Sequence, residues 1–286
     1  MSRNKNSNFF RIFIVALLFF ITVLFLANTI LDRTGDHFRI LALGVDSKDY
    51  KINNSVRSDT IMLVDFNSKT GEINIVSIPR DTRTAIKGRK YQEKINHSFA
   101  YGGPELTLDT VSKLLKIQID NYVVVDYKAV REYIDLIGGV DLFVPMDMKY
   151  TDPAADPPLS IDLKEGQQNL NGDKALQYLR FRKGYKDADL GRIKAQQIFL
   201  KAMIKQSIKP STIIKFPKII NIYKENIETN LPLLGALKEA VFFFKYDLEN
   251  IEAFTIKGQP KTIEGVSYYI VDENGLVELI NDKILK

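Results

Sequence analysis

The chain has 286 residues, no cysteine and only two histidines, His37 and His97. Without thiols there is no disulfide framework, no zinc–thiolate site and no cysteine nucleophile, and two imidazoles leave little room for histidine-rich metal centres. Forty basic residues face 35 acidic ones, and Arg3, Lys5 and Arg11 lie in an acid-free start, so residues 12–286 carry 37 against 35; this balance excludes a general nucleic-acid binder and makes any basic site local.

Residues 12–31 (IFIVALLFFITVLFLANTIL) form a run of 20 without a charge. As a helix it would span ~30 Å, the thickness of a bilayer core. The cations before it place residues 1–11 in the cytoplasm and the rest outside. A cleaved signal peptide has a shorter core of ~7–15 residues and a small-x-small site, whereas here Phe25 occupies the −3 position for cleavage after Ala27. The expectation is a retained signal-anchor in the cell membrane, a juxtamembrane neck at 32–38 and an extracellular domain at 39–286.

Residues 39–45 (RILALGV), 58–66 (SDTIMLVDF) and 72–79 (EINIVSIP) read as strands, the last two joined by a hairpin turn at 67–71 ending in Gly71. A helix is expected at 104–115 after Gly102 and Gly103, then a strand at 121–126, a helix at 127–137 and a strand at 139–144. Residues 145–158 contain four prolines and are expected to break regular structure. A short helix at 170–178 opens at Asn171, and a long amphipathic helix follows at 190–208. Helical stretches are expected at 211–228 and 231–246, strands at 250–256 and 267–271, and a closing helix at 273–285. Alternating strands and helices predict an α/β fold: a three-layer α/β/α sandwich with a central mixed β-sheet, preceded by one N-terminal transmembrane helix.

Charged residues gather at the predicted strand ends, where open sheets place ligands. Asp46 follows the first strand, Arg57 and Asp59 stand at the start of the second, and Arg80 and Asp81 follow the third. Singly, each aspartate reads as a turn or cap residue; converging, Asp46 and Asp59 would suit a hard cation such as Mg²⁺. Residues 176–197 (LQYLRFRKGYKDADLGRIKAQQ) add Arg180, Arg182 and Arg192. Arg180 and Arg182 share a side of an extended segment, and Arg192 and Gln196 share a helix face. Such a cluster suits a phosphate-rich anion, or else forms a solvated surface. Lys183 and Lys186 read as loop solvation. There is no G-x-S-x-G elbow and no phosphate-cradling glycine loop, and His97 reads as a packed, hydrogen-bonded histidine. Ile193, Ile198, Phe199, Leu200, Met203, Ile204 and Ile208, with Phe242, Phe243 and Phe244, serve either the core or a slot for a long apolar tail.

In order and spacing, LALGVDS, RSDTIMLV, SIPRDT, KINHSFAYGG, IGGVDLFV, LNGDKALQYLRFR and DADLGRIKAQQ resemble the LytR–CpsA–Psr family of cell-wall glycopolymer ligases, from about residue 39 to at least 203. The resemblance implies a phosphotransferase that moves a glycopolymer, such as a teichoic acid or capsular polysaccharide, from an undecaprenyl-pyrophosphate carrier to a peptidoglycan sugar hydroxyl. It implies Mg²⁺ at Asp46 and Asp59, and pyrophosphate contacts from Arg57, Arg80, Arg180, Arg182, Arg192 and Gln196. Asp59, Arg57, Arg80 and Arg182 are the expected catalytic set, and the proton of the attacking hydroxyl passes either to Asp59 or Asp81 or to the phosphate itself. The implied partners are the lipid-linked glycopolymer, peptidoglycan and the membrane, with no nucleic acid. Two features depart from the pattern: the loop between Arg182 and Arg192 is about two residues longer, and Ala195 stands where an arginine is frequent. Two other readings are a membrane-anchored, non-enzymatic regulator that binds the same lipid or polymer, and a polyprenyl-pyrophosphate hydrolase.

Overall fold

The computed structural model describes residues 36–45, 56–153, 159–181, 184–185, 189–207, 209–232 and 251–286. Its first half runs β1 (His37–Val45), β2 (Ser58–Asn67), β3 (Ile73–Ser77), β4 (Arg83–Thr84), β5 (Glu93–Lys94), α1 (His97–Leu115), β6 (Asn121–Asp126), α2 (Tyr127–Ile137) and β7 (Val140–Val144). The hairpin β8 (Met148–Asp152) and β9 (Leu159–Leu163) follows, then β10 (Gly166–Leu170), α3 (Gly172–Arg180), α4 (Asp189–Ser207), α5 (Pro210–Ile213) and α6 (Phe216–Asn226). The chain closes with β11 (Ile227–Thr229), β12 (Ile251–Thr255), β13 (Gly258–Ile263), β14 (Val266–Val271) and α7 (Glu273–Lys283).

Among the described residues six strands form one mixed sheet in the order β11-β6-β1-β2-β3-β12. β2 is antiparallel to β1 and β3, while β6 runs parallel to β1 and β12 parallel to β3. The C-terminal ends of β1, β3, β6 and β12 and the start of β2 therefore meet at one edge. The β2–β3 turn closes because the Asn67 side-chain oxygen accepts from the Lys69 amide at 2.9 Å and Gly71 adopts φ 75°, a conformation glycine takes without a Cβ penalty.

The pleat sends alternate residues to opposite faces. On one face Leu41, Leu43, Ile61 and Leu63 pack with Phe99, Val111 and Leu115 of α1 and Leu276 and Ile280 of α7. On the other, Met62, Phe66, Ile73 and Ile75 meet Leu200 and Ile204 of α4. Helices thus cover both sides, and each buried aliphatic side chain contributes roughly 1.5–3 kcal/mol. A further cluster joins α2, α3, α4 and the hairpins through Ile134, Leu142, Leu163, Tyr178 and Phe199.

Several elements differ from expectation. β8 forms inside the proline-rich stretch because Pro145 and Pro153 stand outside it, so no ladder donor is lost. β10 (GQQNL) and β13 (GQPKTI) have compositions poor in strand formers and are made by pairing, β10 with β7 and β13 with β14. α1 starts at His97, before the glycines, and kinks at Gly102 and Gly103. α6 ends at Asn226, and the expected helical residues 227–228 belong to β11 at the sheet edge. The neck prediction overruns by two residues, since β1 begins at His37. No helix among the described residues is long and apolar enough to cross a membrane; residues 12–31 lie outside them, as do most of 231–246, Phe242, Phe243 and Phe244.

Candidate functional site

The shared strand edge carries the charged residues. Val45, the last residue of β1, is paired with Ser58, which puts Asp59 one step further along β2. Asp59 is half-buried, and its Oδ1 forms an ion pair with Nη1 of Arg80. Arg80 follows β3 on a backbone clamped from both sides. The Arg80 carbonyl accepts from Asn96 N at 3.2 Å, that of Asp81 from Tyr269 N at 2.9 Å and that of Thr82 from Ile95 N at 2.8 Å.

α4 brings the second half. Arg192 is 5% exposed, and its Nη2 lies 3.5 Å from the backbone oxygen of Asp59. One turn on, Gln196 donates to the Thr60 hydroxyl at 3.2 Å. Gln197 pins the helix to the sheet, donating to the Phe254 carbonyl at 2.7 Å and to the Ser77 hydroxyl at 2.9 Å. Asn171 caps α3 by accepting from Lys174 N, and Arg180 is the last residue of that helix. Its guanidinium sits 5.0 Å from the ring centre of Tyr127, a cation–π contact. Tyr127 is held there because Asp126 caps α2, accepting from Ala129 N at 2.7 Å.

Asp59, Arg180, Arg192 and Gln196 line one cavity of about 580 Å³. Its polar groups converge beside a predominantly apolar wall that includes Met62, Val130, Leu179, Phe199, Leu200 and Met203. Gly44 makes this wall possible: a Cβ there would stand 2.9 Å from Cβ of Thr60. The combination fits a ligand with an anionic head and a long apolar tail.

Other candidates take different places. Arg57 is exposed before β2 and outside the cavity lining. Its charge acts on Tyr101, opposing the upward pull that a hydrogen bond to Glu93 exerts on that phenol. Asp81 pairs with Lys94 at 2.8 Å, away from the cavity. His97 bonds to Glu93 at 3.0 Å, as a hydrogen-bonded structural histidine should. Burial raises the Glu93 carboxyl, but hydrogen bonds from His97, Tyr101 and Arg89 outweigh it and lower it to about 2. Ser58 is fully buried and closed to any substrate. Asp46, Arg182, Lys183 and Lys186 lie outside the described residues.

This arrangement has counterparts. The profile of the LytR_cpsA_psr family matches residues 25–284. The chain belongs to that family. It is 32% identical, over 86% of its own length and 77% of the relative's, to the polyisoprenyl-teichoic acid–peptidoglycan teichoic acid transferase TagU of Bacillus subtilis. To the protein of the same name from Halalkalibacterium halodurans it is 35% identical, over 85% and 77%. Among solved structures it is similar to TagT bound to LIIa-WTA, with a TM-score of 0.74, 30% identity and coverage of 88% of this chain and 91% of the other. It also resembles the crystal structure of B. subtilis TagV, with a TM-score of 0.73, 30% identity and coverage of 87% and 96%.

In this LytR_cpsA_psr member, sequence reasoning missed three residues that shape the site: Thr60, Tyr127 and Gln197. Gln197 is the second of the paired glutamines, one step off the Arg192–Gln196 face, and that offset is what turns it to the sheet. Tyr127 follows a capping aspartate, a signal present in the sequence. Thr60 carried none beyond its place beside Asp59. Of the apolar residues on α4, Phe199, Leu200 and Met203 border the cavity, Ile193 is buried, Ile204 packs on the sheet and Ile198 is exposed; Ile208 lies outside the described residues. Ala195 is buried in the cluster of α2, α3 and α4, so the departure from arginine there falls on a core position.

Proposed function

We propose that this chain is a membrane-anchored phosphotransferase that moves a glycopolymer from an undecaprenyl-pyrophosphate carrier to a peptidoglycan sugar hydroxyl. The observation that carries it is the cavity: Arg180, Arg192 and Asp59, the last paired with Arg80, converge beside an apolar wall. An apolar tail suits that wall, each buried CH₂ contributing ~0.8 kcal/mol, and a pyrophosphate suits the guanidiniums. Kinship with teichoic acid transferases supports the same assignment. Residues 12–31 hold the domain at the outer face of the cell membrane, where the carrier is concentrated.

The acceptor oxygen attacks the phosphorus that bears the polymer. The bond from that phosphorus to the prenyl phosphate breaks, its electron pair leaves on the prenyl phosphate, and the hydroxyl proton ends on the same leaving group. Arg180 and Arg192, with Arg182 two residues after Arg180, hold the pyrophosphate and offset the charge that develops as the bond breaks. Arg80 orients Asp59, and Gln196 fixes the helix that carries Arg192 to β2. Asp59 is a hard oxygen donor beside a phosphate site, which fits Mg²⁺. Among the described residues no cluster of three or more acidic or histidine side chains forms a closed metal cage, so the ion would rest on Asp59, Asp46, phosphate oxygens and water. When bound it would supply further charge compensation to the pyrophosphate.

The test incubates the full chain in vesicles with a polyprenyl-pyrophosphate-linked glycopolymer, peptidoglycan oligomers and Mg²⁺. Polymer bonded to the acceptor is the expected result. Release into water alone would make the protein a hydrolase, and binding without turnover a regulator.

A further inference from the structure

Residues 190–224 contain eight basic side chains and no acid, whereas the whole chain has a net charge of +5, so the remainder is net acidic. The stretch spans nearly all of α4, α5 and α6. α4 runs from the charged head of the cavity to its apolar tail. Arg192 lies by Asp59 and Gln196 by Thr60, whereas Phe199, Leu200 and Met203 stand on the apolar wall. On a helix Arg192 and Met203 are roughly 16 Å apart. Leu200 and Ile204 then pack with Phe66 and Phe38, which pair with each other at the start of β1. Gln206 donates to the Ile137 carbonyl at 3.2 Å, at the far end of α2. The end of α4 and the start of β1 thus share one side of the molecule, opposite the charged strand edge. On that side the chain arrives from residues 12–31.

Beyond Met203 this end bears Lys205 on the last turn of α4, Ile214 between α5 and α6, and Lys218 on the first turn of α6. Ile214 is 82% exposed, more than any other large apolar side chain among the described residues. Lys205 and Lys218 are exposed, and among the described residues neither side chain has a hydrogen bond or ion pair. Lys209 and Lys215 are engaged, with Asp141 at 3.5 Å and the Leu136 carbonyl at 2.7 Å, and hold α5 in place. An exposed isoleucine between free lysines fits the boundary of an anionic bilayer, where an apolar side chain enters below the headgroups and ammonium groups meet phosphates. The cavity gives an independent reason. Its volume of about 580 Å³ suits a drug-sized ligand and falls well short of an undecaprenyl chain, so most of the tail must stay in lipid while the pyrophosphate is bound. The tail end of α4 must then face the bilayer.

We propose that Lys205, Ile214 and Lys218 form a docking surface for an anionic phospholipid bilayer, which sets the tail end of the cavity against the membrane. The inference rests on reading residues 12–31 as an anchor and the cavity as a carrier site. The anchor confines the domain, and this surface orients it.

The chain has no cysteine, so Ile214→Cys and a control, Tyr91→Cys, each give one labelling point. Tyr91 is 69% exposed in the loop between β4 and β5. Full chains carrying a fluorophore at either position are placed in vesicles of phosphatidylcholine alone or mixed in equal parts with phosphatidylglycerol, with a quencher on the lipid. At position 214 quenching should be strong in the anionic vesicles, weak in phosphatidylcholine and relieved by high salt; at position 91 it should be weak in both. K205Q/K218Q should lower the docking equilibrium about fivefold per lysine and slow transfer from a donor embedded in anionic vesicles, while turnover of a water-soluble short-chain donor stays unchanged. K205R/K218R should behave as wild type. Quenching at 214 that equals that at 91, or that ignores both lipid charge and the double variant, would overturn the proposal. So would protection at 214 that appears only with added soluble polyol-phosphate polymer. The quenching needs no turnover, so it decides the surface even if the transferase reading fails. If alkaline extraction frees the chain from the vesicles, the anchor reading fails instead, and flotation with anionic vesicles decides: equal flotation of wild type and K205Q/K218Q would refute the surface.

Discussion

At the scale of single residues, Asp59 carries the most chemistry for the least stability. Its ion pair with Arg80 is partly exposed on both sides, and such pairs contribute about 0–1 kcal/mol. Asp59→Asn should therefore leave thermal unfolding nearly unchanged while turnover falls on the order of 10²–10³-fold. Arg192 is buried, and its fork cannot be replaced by a point charge. Arg192→Lys should weaken binding of a short-chain prenyl pyrophosphate, and titration with the same affinity as wild type would remove it from the clamp. Glu93 sets an acid limb on stability. Its carboxyl falls from an ordinary 4.5 to about 2 on folding, so the stability it contributes is present above about pH 4.5 and is lost as pH drops towards about 2. Unfolding midpoints measured across that window should fall more steeply for wild type than for Glu93→Gln. Residue types were readable in the sequence here, but partners were not: nothing in the chain says that Asp59 meets Arg80 or that Asp81 turns to Lys94, because both depend on how β4, β5 and β14 close around residues 80–82.

At the scale of elements, the site depends on α4 being pinned to the strand ends. Gln197 makes that junction, and Gln197→Ala would leave the Phe254 carbonyl and the Ser77 hydroxyl short of a partner in a buried place. The expected cost is about 1–3 kcal/mol, seen in denaturant midpoints, with turnover reduced because Arg192 and Gln196 ride on the same helix. Gly44→Ala tests the cavity wall. Its new methyl would crowd Cβ of Thr60, and overpacking of this kind costs roughly 1–3 kcal/mol; turnover should fall with it. The periodic elements β1, β2, β6, α2 and α7 were legible because apolar spacing dictates them. β8, β10 and β13 were not, since short polar strands owe their form to a partner that local sequence does not name. The β8–β9 hairpin matters for the site, as Tyr150, Asp152 and Leu159 stand at the cavity.

At the scale of the whole molecule, topology explains why residues far apart in sequence share one edge. Parallel pairing of β6 with β1 and of β12 with β3 turns four strand C-termini the same way, and β2 returns between them with Asp59 at its start. Alternating strands and helices announced a layered mixed sheet, and of the charged residues at predicted strand ends Asp59 lines the cavity and Arg80 joins it through an ion pair. The cavity's shape was not readable, because Phe199, Leu200 and Ile204 have the same composition whether they face core or ligand. The proposed anchor at residues 12–31 would add proximity rather than chemistry. Removing residues 1–35 should slow transfer from a donor embedded in vesicles while leaving turnover of a water-soluble short-chain donor unchanged; equal loss on both donors would show that the segment does more than hold the enzyme at the membrane.

We propose that Asp59 and the arginines around it drive displacement of prenyl phosphate by a sugar hydroxyl. Product analysis of wild type and Asp59→Asn, side by side with labelled donor and peptidoglycan oligomers, tests it most directly. Wild type should yield polymer joined to the acceptor through a phosphodiester and one prenyl monophosphate per bond formed, and Asp59→Asn should bind donor but form both products on the order of 10²–10³-fold more slowly. Release of intact prenyl pyrophosphate, or full yield from the variant, would contradict it.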